Sequence, residues 1–320
     1  MKEQVLISTS KDYPVLFKRL TDAGLTPVVK PAPAQDFEAF VNAVCGYAYV
    51  IANGPWNKEA LTRASGQLKL LVKFGVGVDN IDVKAAGELG IAVANAPGSN
   101  SEAVAEQAVA LMLALARDVT VRDGAVRSGR WDSSMNDTLV GKTVGLMGFG
   151  NIARAVAKML SGFPVRLIAY DILMDGESAK KLGVEPVGLS ELCAGSDMLS
   201  LHIPANDQTR HIINAEFLNR LKNSAYIINT SRGSIVDETA LVSALKNGRL
   251  RGAGLDTFET EPLPAGHPLL SLPNVVLSPH SASNTAQAFE RIMECCVKNV
   301  IAFSRGEYLN VINKDVIKVK

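Results

Sequence analysis

The sequence is poor in cysteine and in long apolar runs, and both shortages exclude classes of protein. Its 320 residues include four cysteines, none in a C-x-x-C pair or at zinc-ligand spacing. Neither a disulfide framework nor a bound metal is therefore predicted, and a reducing compartment is favoured. The longest apolar run, residues 108–116, is well short of the roughly 20 residues that span a bilayer. Because the apolar run near the N terminus is also too short for a signal sequence, we expect a soluble, cytoplasmic protein.

An excess of charge of either sign is also absent. The chain has 33 Lys and Arg residues against 32 Asp and Glu residues, for a net charge of +1. It shows neither a basic stripe nor an acidic tail, which argues against nucleic acid or an anionic membrane as a partner. Apolar residues make up 47% of the chain and charged residues 20%, a balance typical of folded domains. At roughly 150 residues per domain the length predicts about two domains.

Short apolar runs of strand length alternate with helical patterns over most of the chain. Strands are predicted at 5–8, 49–52, 70–73 and 91–93, with helices at 12–23, 36–44, 58–64 and 83–89. After a long apolar helix over 101–120, strands are predicted at 143–147, 165–170, 197–202, 225–229, 251–255 and 275–277, and a last helix at 284–304. Apolar strands without polar alternation, separated by helices, indicate parallel sheets covered on both faces. We predict an α/β protein with two doubly wound lobes, the first completed by the C-terminal helix.

A glycine-rich turn follows the strand predicted at 143–147. Gly148 permits a tight turn, Gly150 lets the backbone approach a pyrophosphate, and Ala153 is small enough for close helix packing. The helix that begins near Asn151 directs its N–H groups at the phosphates. The next strand ends in Asp171, whose carboxylate can accept hydrogen bonds from the adenosine ribose and repel a 2′-phosphate. The pattern predicts NAD in preference to NADP, and the alternative is a structural turn that binds nothing.

A dinucleotide site implies hydride transfer, which needs a proton donor close to the substrate oxygen. Of the four histidines, His211 and His267 are interpreted as surface or packing residues. His202 ends a predicted strand and is expected near the cofactor. His280 follows the strand at 275–277, at a carboxyl end where open α/β sheets place ligands. An ordinary core histidine remains the alternative reading of His280.

Two further strand ends carry candidate partners for that histidine. Arg232 follows the strand at 225–229, and its guanidinium would match a planar carboxylate with two hydrogen bonds. The alternative is an arginine paired with a neighbouring acid at the surface. Asp256, Glu259 and Glu261 follow the strand at 251–255, where one of them could hydrogen-bond His280 and favour the imidazolium.

Five motifs in this order resemble the D-isomer-specific 2-hydroxyacid dehydrogenase family, which includes D-3-phosphoglycerate dehydrogenases. They are GVGVDNID at 75–82, GFGNIA at 148–153, NTSRG at 229–233, DTFETEP at 256–262 and SPH at 278–280. The resemblance extends over most of the chain. It implies a Rossmann NAD-binding domain at 100–286 inserted in a flavodoxin-like substrate domain at 1–99 plus 287–320, and a homodimer formed mainly through the nucleotide lobe.

The resemblance also implies roles for individual residues. His280 would exchange a proton with the C2 oxygen of the substrate, Glu261 would hold His280, and Arg232 would bind the substrate carboxylate and polarise the carbonyl. Asp256 would hold the nicotinamide carboxamide. The cofactor-binding set it implies is Gly148, Gly150, Asn151, Ile152, Asp171, His202, Pro204, Thr230, Ser231, Asp256, Ala282 and Ser283. The substrate-binding set is Lys73, Val76, Gly77 and Arg232.

The substrate is a small D-2-hydroxy acid or 2-keto acid on this reading. Lys73 is placed to bind a phosphate, which favours D-3-phosphoglycerate, although a solvated surface lysine is an equal alternative. Glyoxylate, hydroxypyruvate and other 2-keto acids remain open. An NAD(H)-sensing protein of the corepressor type is the alternative from another class, and turnover of NADH with 2-keto acids separates the two. A catalytically idle scaffold would lack the Arg, Glu or His, and all three are present.

Overall fold

The computed structural model describes residues 3–317, which form two compact units. Unit 1 comprises residues 3–100 and 285–317, and unit 2 comprises residues 101–284. Within 3–317 no helix combines the length and the apolar character that crossing a membrane requires. Substrate binding by residues 1–99 with 287–320, and dinucleotide binding by residues 100–286, stay predictions.

Helices and strands alternate along both units. The strands are β1 (Gln4–Ile7), β2 (Thr26–Val29), β3 (Tyr49–Ala52), β4 (Leu70–Lys73), β5 (Ala92–Ala94), β6 (Thr143–Met147), β7 (Arg166–Tyr170), β8 (Val184–Pro186), β9 (Met198–Leu201), β10 (Tyr226–Asn229), β11 (Gly252–Leu255) and β12 (Val275–Leu277). The α-helices are α1 (Pro14–Asp22), α2 (Phe37–Val44), α3 (Lys58–Ala64), α4 (Val83–Glu88), α5 (Ser101–Ala116), α6 (Val119–Arg127), α7 (Asn151–Leu160), α8 (Gly176–Lys181), α9 (Leu189–Gly195), α10 (Ala215–Arg220), α11 (Glu238–Lys246) and α12 (Ala286–Ser304).

Unit 1 is built on a parallel sheet with the strand order β2-β1-β3-β4-β5. This is the flavodoxin-like order. Its central strand β3 is buried along its whole length, so its side chains face helices on both sides, as an all-parallel sheet requires. One apolar cluster combines residues of the sheet with Met293 and Val297 of α12. The C-terminal helix therefore completes the first lobe, as predicted.

Unit 2 is built on a second parallel sheet, with the order β12-β11-β10-β9-β6-β7-β8. The chain runs outward from β6 through β7 to β8, then returns to β9 on the other side of β6 and continues to β12. The strand order therefore reverses between β6 and β9, the position where doubly wound sheets bind ligands beyond their carboxyl ends. The predicted Rossmann fold is confirmed.

The helix predicted over 101–120 is wrong at its C-terminal end. α5 ends at Ala116, Asp118 adopts a left-handed φ of 50°, and α6 begins at Val119. The α5 side chains are largely buried, whereas Val119 is about half exposed. The apolar character that favoured one long helix therefore ends where the chain bends.

The strands β2 and β8 were not predicted from the sequence, because each is short and lies at a sheet edge. β2 and β8 each contain a proline, Pro27 and Pro186, and neither strand is fully buried. Proline is confined to edge strands or strand ends because it cannot donate to a sheet hydrogen bond. A proline in a half-exposed run of three or four residues resembles a loop in the sequence.

Candidate active site

The turn after β6 has the geometry that a pyrophosphate site needs. Gly148 has a φ of 92°, and a side chain there would come within 2.6 Å of the His202 carbonyl oxygen. A Cβ on Gly150 would meet no atom within 4 Å, so the backbone at this residue borders open space. Asn151 begins the ten-residue α7, and Ala153 is fully buried. The helix N terminus and both glycines are thus arranged as the motif predicts.

Asp171 has a structural function that the sequence did not reveal. One carboxylate oxygen accepts the Phe149 N–H at 2.6 Å, and the other accepts the Leu173 N–H at 2.7 Å. Arg154 supports the same turn, since its Nε donates to the Phe149 carbonyl oxygen at 3.1 Å and its Nη2 lies 3.1 Å from Asp175. The acid predicted to bind a ribose therefore also fixes the glycine turn.

Two side chains predicted to bind the cofactor carry buried atoms without a hydrogen-bond partner within residues 3–317. They are His202 Nε2, after β9, and Thr230 Oγ1, after β10. Buried polar atoms are normally paired, so an orphaned one calls for a water or a ligand. The strands that carry these residues end close to the glycine turn in the sheet order, and a bound dinucleotide would fit this arrangement.

Burial also gives His202 a measurable signature. It lowers the pKa of the imidazole from 6.5 to about 4, because the charged form loses its hydration. The unfolded chain therefore takes up a proton below about pH 6.5 while the folded protein does not, and stability is lost as the pH falls from about 6.5 to 4. Over this pH range, the free energy of unfolding of a His202→Gln variant should fall less than that of the wild type, by up to about 3 kcal/mol. Urea unfolding at pH 7.5 and 4.5 tests this, and identical pH dependence in both proteins would contradict it.

Arg232, Asp256 and His280 follow three neighbouring strands of unit 2. The strands are β10, β11 and β12, which pair in parallel in that order. Adjacent strands lie about 4.8 Å apart, so their carboxyl ends share one edge of the sheet. The topology thus brings the three predicted side chains to the same edge.

His280 and Glu261 form the contact that the resemblance implies. His280 Nδ1 lies 2.7 Å from Glu261 Oε2, and Glu261 Oε1 accepts the Phe258 N–H at 3.0 Å. An ionised carboxylate can only accept, so Nδ1 carries the proton and Nε2 of a neutral imidazole is left as an acceptor. The His280 side chain is 46% exposed.

Asp256 is hydrogen-bonded to the segment that carries His280. It is fully buried, and its oxygens accept the Ser278 hydroxyl at 2.6 Å and the N–H groups of Ser281 and Ala282 at 3.0 and 2.9 Å. Its carbonyl oxygen accepts the His280 N–H at 2.7 Å. These bonds hold His280 at a left-handed φ of 50°, a conformation that costs a non-glycine residue energy and requires support. Asp256 therefore positions His280.

Arg232 lies in a loop organised by the last residue of β10. Asn229 Nδ2 donates to the Arg232 carbonyl oxygen at 2.9 Å, and Asn229 Oδ1 accepts the N–H and hydroxyl of Ser231 at 3.0 and 2.7 Å. Arg232 Nη1 donates to the Ser231 carbonyl oxygen at 2.7 Å. Hydrogen bonds within the NTSRG motif thus fix the conformation of its own loop. The sequence predicted only the roles of its side chains.

The predicted substrate-binding residues Lys73, Val76 and Gly77 all lie in unit 1, at the carboxyl end of β4. Lys73 Nζ donates to Asn80 Oδ1 at 3.2 Å, and the Val76 carbonyl oxygen accepts Asn95 Nδ2 at 2.7 Å. The loop that contains Val76 and Gly77 is therefore fixed from within unit 1.

Comparison with known proteins agrees with the fold and the motifs. Residues 109–282 match the model of the D-isomer specific 2-hydroxyacid dehydrogenase, NAD binding domain. A glyoxylate reductase of Korarchaeum cryptofilum is 44% identical over 264 residues, 80% of each chain. A D-3-phosphoglycerate dehydrogenase of Methanocaldococcus jannaschii is 40% identical over 268 residues, 82% of this chain and 51% of that protein. The solved structure of a glyoxylate reductase from Paecilomyes thermophila has a TM-score of 0.87 and 29% identity, and the match covers 98% of this chain and 99% of that one.

The doubly wound sheet of unit 2 and its glycine turn define a dinucleotide-dependent dehydrogenase. The matched model extends over more than half of the chain, and the two relatives named above are 44% and 40% identical to it over about four fifths of its length. The chain belongs to the D-isomer specific 2-hydroxyacid dehydrogenase family, and its cofactor is NAD.

Proposed function

We propose that this protein transfers a hydride between NAD(H) and C2 of a small 2-keto acid or D-2-hydroxy acid, with His280 as the acid and base. The observation that carries this proposal is the 2.7 Å contact between His280 Nδ1 and Glu261 Oε2. It holds the imidazole in one orientation, as an acid that must return to the same state in each cycle requires.

The cofactor is proposed to bind at the carboxyl edge of the unit 2 sheet. Gly148, Gly150, Asn151 and Ile152 would receive the pyrophosphate, and Asp171 the adenosine ribose. The other residues of the proposed pocket are His202, Pro204, Thr230, Ser231, Asp256, Ala282 and Ser283. Bound NADH supplies the hydride.

The chain's own residues perform the remaining chemistry. During reduction the imidazolium of His280 gives its Nε2 proton to the C2 oxygen, while Glu261 keeps the Nδ1–H in place. Arg232 binds the substrate carboxylate with its planar guanidinium and polarises the carbonyl. In unit 1, the backbone N–H groups around Val76 and Gly77 are proposed to bind substrate. In the oxidation direction, neutral His280 takes the hydroxyl proton.

We propose that the two domains have separate binding functions, as the family resemblance implies. Residues 1–99 with 287–320 bind the substrate, and residues 100–286 bind the dinucleotide. We also propose a cytoplasmic location, because the four cysteines are all free thiols and extracellular proteins usually form disulfides.

A homodimer formed through the nucleotide-binding unit is a further part of this proposal. The segment after α6 exposes large apolar side chains, with Trp131 88% exposed and Met135 99% exposed. Trp and Met are enriched at subunit interfaces. A second copy of the chain would cover them.

Two substrate classes have support. Relatives at 40–44% identity are called glyoxylate reductase, which favours a small unphosphorylated 2-keto acid such as glyoxylate or hydroxypyruvate. The phosphoglycerate dehydrogenases among the relatives are also similar, although this chain spans about half of their length. The position of Lys73 beside the proposed carboxylate-binding loop supports a phosphorylated substrate as the second candidate.

Lys73→Met separates these classes, because it removes the charge and keeps most of the aliphatic stem. We expect kcat/KM for phosphohydroxypyruvate to fall at least tenfold and kcat/KM for hydroxypyruvate to change less than threefold, since only the former carries a phosphate for the ammonium group to bind. Lys84→Met, at an exposed position of α4, is the matched control. Equal losses for both substrates would exclude Lys73 as a phosphate ligand.

An NAD(H)-sensing protein of the corepressor type is the alternative function. It would bind NADH without consuming it in the presence of 2-keto acids. The buried network that holds His280 at a strained backbone angle favours the enzyme, because a sensor does not need a positioned proton donor.

A further inference from the structure

Two further pairs of imidazole and carboxylate involve the loop that carries Glu261 or its neighbour Glu238: His211 with Glu259, and His267 with Glu238. His267 Nε2 is 3.5 Å from Glu238 Oε2. The sequence predicted only a surface or packing role for His267 and none for Glu238. Both side chains are largely buried, with 21% of His267 and 10% of Glu238 exposed.

Glu238 is bonded to the backbone of the neighbouring loop. It is the first residue of α11, whose N-cap is Asp237, so its own position in the fold is fixed. Its Oε1 accepts the Glu259 N–H at 2.7 Å. Burial raises the pKa of Glu238, and the nearby charges of Glu259 and Glu261 add to this, while the Glu259 N–H and His267 oppose it. A buried carboxylate is retained at such a cost only where it is well hydrogen-bonded.

The contacts of His267 indicate which ring nitrogen carries the proton when the ring is neutral. Its Nδ1 accepts the Leu269 N–H at 3.4 Å, at the start of a short 3-10 helix. The proton of the neutral ring is therefore on Nε2, the nitrogen that faces Glu238. His267 thus directs this N–H toward the carboxylate whose other oxygen accepts the Glu259 N–H.

The same loop is held at the residue before Glu259. A side chain on Gly233, the residue after Arg232, would come within 2.0 Å of the Phe258 carbonyl oxygen, so the two backbones are in direct contact. Phe258 in turn donates its N–H to Glu261 Oε1. The loop from Phe258 to Glu261 is therefore fixed against the loop that carries Arg232, and its Glu259 N–H is fixed by Glu238.

We propose that Glu238, oriented by His267, is a positioning residue for the proton-transfer pair. Because Glu238 accepts the Glu259 N–H, it fixes the backbone conformation between Glu259 and Glu261. This conformation directs the Glu261 carboxylate toward His280 Nδ1. The inference rests on the proposed function for its effect on turnover. Its effect on the His280 ring can be measured without turnover.

The test compares Glu238→Ala with Glu238→Gln. Alanine leaves the Glu259 N–H without its acceptor, whereas glutamine keeps an oxygen for it. We expect Glu238→Ala to lower kcat for 2-keto acid reduction at least tenfold with less than a twofold change in KM for NADH, because small misplacements of reacting groups are costly. Glu238→Gln should stay within threefold of the wild type. Glu216→Ala, an exposed acid in the first turn of α10, is the control for loss of charge.

A nuclear magnetic resonance measurement makes the inference independent of activity. The chain has four histidines, so the ¹⁵N shifts of the His280 ring can be assigned by comparison with His280→Ala. At a pH where the ring is neutral, we expect the proton on Nδ1 in the wild type and in Glu238→Gln, and a shift toward the Nε2–H form in Glu238→Ala. If Glu238→Ala does not fold, His267→Ala should show the same shift.

Two results would overturn the inference. One is an unchanged His280 tautomer and kcat in Glu238→Ala. The other is an equal loss in Glu238→Gln and Glu238→Ala, which would assign the effect to the charge of Glu238 instead of its hydrogen bond. A wild-type protein that shows the Nδ1–H form without turning over any 2-keto acid would refute the proposed function and leave the positioning inference standing.

Discussion

His280→Ala is expected to lower kcat for 2-keto acid reduction by about 10² to 10⁴ fold, the usual contribution of a positioned general acid. Without the imidazole, the developing negative charge on the C2 oxygen must take its proton from water. NADH binding should change little, because none of the residues proposed to bind the pyrophosphate contacts His280 through an observed hydrogen bond. Stopped-flow measurement of NADH oxidation, with NADH affinity measured by fluorescence, separates the two quantities.

Glu261→Gln is the variant to compare with His280→Ala. Its amide keeps an oxygen that can accept the Phe258 N–H, but it has no charge to stabilise the imidazolium. We expect a loss of turnover smaller than that of His280→Ala. Turnover of His280→Ala equal to the wild type would remove His280 from the mechanism, whereas loss of NADH binding would show that the residue acts on the cofactor.

Arg232→Lys is expected to lower kcat/KM for 2-keto acids by about 10² to 10³ fold, the cost of removing one donor to a developing oxyanion. Lysine keeps the positive charge but cannot match a planar carboxylate with two parallel hydrogen bonds. The loop itself should survive, since Asn229 holds it through the Arg232 carbonyl oxygen and through Ser231. Steady-state kinetics with hydroxypyruvate at saturating NADH measures the effect.

The comparison for this variant is Arg210→Lys, at an exposed position of the same unit. It should leave kcat/KM unchanged. A loss confined to KM would mean that Arg232 binds the ground state and the transition state equally. An Arg232→Lys enzyme as active as the wild type would contradict its proposed contact with the substrate.

The sequence predicted the two parallel sheets and the strand ends that carry the site because these features depend on local patterns. Buried parallel strands are continuous apolar runs, and β3, β4, β6 and β12 begin and end where the runs do. The contact between His280 and Glu261 was implied only by family resemblance, since three acids follow β11 and spacing alone does not choose among them.

The supporting residues could not be predicted because their contacts join segments far apart in the chain. Asp256 bonds to residues 278–282, and Glu238 bonds to Glu259. The resemblance assigns Asp256 to the nicotinamide carboxamide and gives no sign of its bonds to residues 278–282, and Glu238 resembles an ordinary first-turn acid that stabilises a helix N terminus. Their functions depend on which loops the fold brings together, and no local pattern records that.

Arg232, Glu261 and His280 are proposed to act together on the C2 carbonyl of a 2-keto acid beside NADH. The most direct test is to incubate the wild-type protein with NADH and hydroxypyruvate, count the NADH consumed, and determine the configuration of the product by chiral chromatography. We expect one NADH to be oxidised for each molecule of D-glycerate formed. L-Glycerate as the product, or NADH that binds but is not consumed by any 2-keto acid, would contradict it.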